Sequence, residues 1–112
     1  MVLVVISSAL AILSLGQTAA ADYRAALSCA GLTQAASELE GGESRYGRAL
    51  ADAALFWTLT SFQAAAAANI SYVTAETDQR NLRVQSVRRL SLNDPSAKRQ
   101  LQQCRQKTPR LN

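Results

Sequence analysis

The sequence predicts an all-α protein: a small up-down helical bundle behind an N-terminal signal peptide. Three observations carry that expectation. Alanine is abundant after residue 22, while Gly and Pro occur only as punctuation. Apolar residues recur at steps of three and four. Turn and cap signals at Gly41-Gly42, Asn69-Ile70-Ser71 and Asp94-Pro95 divide the chain into four segments. Four helices are therefore favoured over three.

The chain opens with "MVLVVISSALAILSLGQTAAAD". Residues 2–15 form an apolar run broken only by Ser7, Ser8 and Ser14. The run is short for a transmembrane helix and suits the core of a signal peptide. Ala19-Ala20-Ala21 before Asp22 fits the small-x-small pattern of a cleavage site. No Lys or Arg precedes the run. Cys29 is a poor lipoprotein cysteine, because Asp22 and Arg24 separate it from the apolar run. The expected organisation is a signal peptide over residues 1–21 and one helical domain over residues 22–112, in a periplasmic or secreted protein. A domain this small buries a modest core and often needs a covalent staple. Cys29 and Cys104 are the two cysteines, and in an exported protein an isolated pair most often forms a disulfide.

The first helix is expected from Tyr23 to about Glu40, capped by Asp22 and ended by Gly41-Gly42. Ala25, Cys29, Leu32, Ala36 and Leu39 would form its buried stripe. Ser44 is the expected cap of the second helix. That helix carries two apolar faces, Tyr46/Leu50/Trp57 and Leu55/Leu59/Phe62, and is expected to be covered on most of its circumference. Running unbroken to Leu92 it would span about 73 Å, against a radius of gyration of about 12 Å for such a domain. A break is required, and Asn69-Ile70-Ser71 is the best site, with Thr77-Asp78 the competitor. The break also accounts for the Asn in this N-x-S triplet without glycosylation. The third segment is weakly patterned. Leu82, Val84, Leu90 and Leu92 alternate like a strand, but a lone strand has no partner, so helix is preferred. Asp94-Pro95 starts the last helix, with Ala97, Leu101 and Cys104 on one face. A Cys29–Cys104 bond tests the count: four passes bring the two cysteines to the same end, and three separate them.

The uncharged stretch over residues 53–75 raises the alternative of a two-span inner-membrane protein with a basic cytoplasmic tail. Its mean hydropathy of about +1 is low for a membrane span. Charge asymmetry gives the alternative its support. Residues 22–78 hold 3 basic and 7 acidic side chains; residues 79–112 hold 9 and 1. In that topology the two cysteines would face opposite compartments and stay unpaired.

The chemistry expected is binding rather than catalysis. The chain has no His, no carboxylate pair at catalytic spacing, no serine-nucleophile motif and no Gly-rich phosphate loop. No metal-ligand cluster is present in the sequence, and neither a metal nor another cofactor is implied. The sharpest functional signal is the basic C-terminal third. Arg80, Arg83, Arg88, Arg89, Lys98, Arg99 and Arg105 are the candidate partner-binding residues, with Lys107 and Arg110 beyond them. Their expected partner is anionic: a protein, a lipid headgroup or an envelope polymer. Nucleic acid is disfavoured, because no aromatic residue follows Tyr72 to stack on bases. The bland alternative is a solvated basic surface that pairs with the acidic N-terminal half.

Overall fold

A computed structural model describes residues 2–110, with side chains described from Thr18 onward. Four helices follow one another among the described residues: α1 (Val2–Glu40), α2 (Arg45–Ala67), α3 (Tyr72–Ser91) and α4 (Pro95–Lys107). No strand occurs among them. The expected signal peptide has its apolar run at residues 2–15, whose side chains lie outside the described residues.

The expected start of the first helix at Asp22 is not observed, because α1 runs through that position without interruption. Ala19–Ala21 favour helix more strongly than any other residue type, and each added residue extends an existing ladder. Asp22 can cap only from a non-helical backbone, which a continuing helix denies it. At the other end Gly41 adopts φ +80°, and its N–H donates to the Ser37 carbonyl at 3.0 Å. A left-handed residue of this kind ends a helix, and glycine adopts it freely.

Each later helix begins on a side-chain cap. Ser44 Oγ accepts from the Gly47 N–H at 2.9 Å. Ser71 Oγ accepts from the Thr74 N–H at 3.2 Å. Asp94 Oδ1 accepts from the Ser96 N–H at 3.0 Å, with Pro95 at the first helical position. The break in the uncharged stretch falls at Asn69, where φ is +59°. The Asn69 N–H donates to Ala66 O at 3.2 Å, and the Ile70 N–H donates to Ala65 O at 2.8 Å. This paired closure satisfies carbonyls that the helix end would leave bare. Asn93 repeats it after α3, again at φ +59°, with Asn93 donating to Leu90 O and Asp94 to Arg89 O. The third segment is one unbroken helix, so the strand-like alternation was accidental and Thr77-Asp78 is not a break.

Two apolar clusters set the order of the bundle. Tyr23 and Leu27 of α1 meet Ala65 near the end of α2 and Ala75 near the start of α3. Leu32 and Ala36 of α1 meet Leu50 of α2 and Ala97, Leu101 and Cys104 of α4, with Leu90 of α3 packed alongside. The helices therefore alternate in direction, and α1 touches the other three. Contact on several sides explains why α1 buries Ala26, Ala30, Thr33 and Ala35 beyond the single expected stripe. Two members of that stripe, Ala25 and Leu39, are exposed. At Gly31 an added Cβ would lie 2.9 Å from Leu82 Cβ, so this glycine lets α3 approach α1 closely.

Between the helices lies a polar layer with no counterpart in the sequence reading. Gln34 Nε2 donates to Thr58 Oγ1 at 2.6 Å, Gln79 Nε2 donates to Ser61 Oγ, and Ser61 Oγ donates to Thr58 O at 2.8 Å. Ser61 and Gln79 are buried. Their hydrogen bonds offset the cost of taking them out of water and tie α1, α2 and α3 into one register. The expected cover over most of the circumference of α2 is only partly realised. Leu55 is 59% and Leu59 54% exposed. Of the second apolar face of α2 only Phe62 finds neighbours, packing on the Tyr23–Leu27–Ala65–Ala75 cluster and stacking on Tyr72, while Leu55 and Leu59 face solvent.

Cys29 and Cys104 are joined by a disulfide, with Cα atoms 5.5 Å apart. The bond closes a loop of 75 residues, worth about 4–5 kcal/mol in the chain-entropy model. It links α1 to α4, as four passes require.

Candidate functional site

The basic residues divide into those held by acids and those left facing solvent. Arg80 reaches Glu76 at 3.2 Å on the exposed side of α3, a helical pair worth a few tenths of a kcal/mol. Arg83 reaches Glu38 of α1 at 2.8 Å, an ion pair that joins α3 to α1. Arg89 Nε donates to Asp94 Oδ2 at 2.9 Å, across the turn into α4. That hydrogen bond, aided by the Ser96 N–H, holds the Asp94 carboxyl below its ordinary range. All three arginines have their charge answered, and two of them tie elements together, Arg83 joining α3 to α1 and Arg89 spanning the turn into α4.

Among the described residues Arg88, Lys98, Arg99, Arg105, Lys107 and Arg110 make no ion pair. Arg88 and Arg99 point into solvent on separate helices and are not brought together with the rest. Lys98 and Arg105 do converge. With Gln102 they occupy positions i, i+4 and i+7 of α4, one polar stripe beside its buried face. Across from the stripe stand Glu40 at the end of α1 and Tyr46 at the start of α2. The Arg105 guanidinium lies 4.6 Å from the Tyr46 ring centroid, a cation–π contact that orients it. Glu40 accepts from the Ser44 hydroxyl at 3.2 Å and makes no direct ion pair with Lys98 among the described residues.

The stripe borders two pockets. The first, about 400 Å³, has apolar walls from Ala36, Leu39, Leu50, Leu90 and Leu101, with Lys98 and Arg105 at its rim. The second, about 810 Å³, lies between the start of α2 and the end of α4. It carries Arg45, Arg105 and Arg110 against the single acid Asp52. Gln102 and Arg105 belong to both pockets and form the divide between them. The far wall is anchored: Trp57 Nε1 donates to Thr108 Oγ1 at 2.9 Å and to Cys104 O at 3.2 Å. Thr108 Oγ1 in turn donates to Cys104 O at 2.8 Å, beside the disulfide.

Sequence reasoning placed Lys98 and Arg105 among the candidates but missed Arg45, Tyr46, Leu39 and Gln102. Arg45 lies 60 positions from Arg105 and sits in the acidic half. Only the packing of α4 beside the α1–α2 corner brings them together. The Cys29–Cys104 pair was the available signal, since it fixes α4 against α1.

Comparison with protein families, with curated proteins and with solved structures finds no match to the chain. The class defined here is thus structural: a disulfide-linked four-helix bundle with a basic, two-part groove.

Proposed function

We propose that the protein is a small exported helical binding or accessory protein, periplasmic or secreted, that engages an anionic partner through its basic C-terminal half. The observation carrying this reading is the convergence of Lys98 and Arg105 with Arg45 and Arg110 around open pockets that contain few acids. Cations assembled without counter-charges repel one another, and an anion relieves that repulsion. Export is supported by the disulfide, since such bonds persist in oxidising compartments. The leader over residues 1–21 supplies the route in this reading.

Only the charge asymmetry favours the two-span alternative. Among the described residues no helix is long and apolar enough to cross a membrane. With α2 ending at Ala67, its uncharged part spans about 22 Å, short of a hydrocarbon core of about 30 Å. The paired cysteines also share one body rather than two compartments.

The test is co-sedimentation of the disulfide-intact protein with phosphatidylglycerol vesicles, phosphatidylcholine vesicles and heparin-coated beads. The expected result is retention by at least one anionic probe, weakened as salt rises and lost in the triple variant Lys98→Glu, Arg99→Glu, Arg105→Glu. Equal behaviour on charged and neutral surfaces would remove the proposal.

A further inference from the structure

We infer that the two pockets form one binding site for an anionic amphiphile: a single acyl chain joined to a phosphate monoester. The inference rests on the reading that the basic half meets an anion, and it names the anion and its place. The first pocket is apolar in its walls and, at about 400 Å³, falls within the range of small-molecule sites. Two of its lining residues, Leu39 and Tyr46, remain 51% and 41% exposed. Apolar surface left open beside a charged rim suits an alkyl chain, which would remove it from water.

The adjoining pocket answers the other end of such a molecule. Arg45, Arg105 and Arg110 against Asp52 leave two positive charges in excess. A phosphate monoester carries about −1.5 to −2 at pH 7, which matches that excess. Guanidinium groups pair with phosphate through parallel hydrogen bonds, and Gln102 and Gln106 add neutral donors. Because Gln102 and Arg105 line both pockets, a ligand crossing the divide lays its chain on the apolar side and its phosphate on the arginine side. An inorganic phosphate fills one half only. An uncharged alcohol fills the other half only.

The test is calorimetric titration of the disulfide-intact protein with dodecyl phosphate below its micelle-forming concentration. Inorganic phosphate and dodecanol are the separate arms. Fluorescence of Trp57, the sole tryptophan, reports on the arginine pocket through Thr108. Saturable one-to-one binding of dodecyl phosphate, with each half-ligand weaker by roughly tenfold or more, is the expected result. Arg45→Gln and Arg105→Gln should each weaken binding roughly tenfold, as loss of a charge-assisted contact implies. Leu39→Glu should weaken dodecyl phosphate without changing inorganic phosphate. Arg24→Gln, on α1 and outside both pockets, should bind as the parent does. All four positions are at the surface, and unchanged circular dichroism would show that the variants fold. Dodecyl phosphate binding no better than inorganic phosphate, or unaffected by Arg45→Gln and Leu39→Glu, would overturn the inference. If dodecyl phosphate fails while anionic vesicles or heparin still retain the protein, the amphiphile site falls and the broader anionic reading stands. If every anionic probe fails, both fall.

Discussion

A Cβ built on Gly47 would lie 1.8 Å from the Gly41 carbonyl oxygen, so the α1–α2 corner closes only around glycine. Neither backbone atom can yield without opening the corner. Gly47→Ala is expected to destabilise the fold by about 1–3 kcal/mol or more, read as a lowered denaturant midpoint. Asn69 offers a graded test of the second corner. Its left-handed backbone makes Asn69→Ala cost about 1–2 kcal/mol, whereas Asn69→Gly should be nearly neutral. Tyr23 sets a pH dependence. Burial, followed by its 2.7 Å hydrogen bond to Asp78, raises its hydroxyl pKa above the ordinary 10.0. The folded chain then keeps a proton that the unfolded chain releases. This contribution is intact below pH 10 and is lost progressively as pH rises beyond it. Denaturant titrations at alkaline pH should show that decline in the parent and a flatter profile in Tyr23→Phe.

At the scale of the helix, α2 carries the main departure from expectation. Leu55 and Leu59 face solvent while Ser61, a small polar residue, is fully buried. Leu55→Gln and Leu59→Gln are therefore expected to change stability by no more than about 0.5 kcal/mol in chemical denaturation. A loss of several kcal/mol for either would place that face in the core. The helix boundaries themselves were readable because caps are local. Ser44, Asn69-Ile70-Ser71 and Asp94-Pro95 each act on backbone groups within a few residues, so neighbouring sequence suffices. Coverage of a face is not local. Whether Leu55 is buried depends on where α3 and α4 settle, and Gly31 and the Gln34–Thr58–Gln79–Ser61 layer decide that. The continuation of α1 ahead of Asp22 was likewise hidden, since Asp22 reads as a cap only if the preceding turn is absent.

Across the whole molecule the disulfide is the organising constraint. It holds α4 against α1, and α4 carries Lys98, Gln102 and Arg105 to the corner where Arg45 and Tyr46 wait. That site was half legible. The excess of cations after residue 78 was plain, but their sorting into fastened and open groups follows from Glu38, Glu76 and Asp94, whose positions only the fold reveals. The central claim is an exported four-helix protein locked by Cys29–Cys104, and intact mass of the natively purified protein tests it most directly. The account predicts a chain beginning at or near Asp22 whose mass is lower than that of its reduced form by two hydrogens. A mass that retains residues 1–21 and does not change on reduction would contradict it.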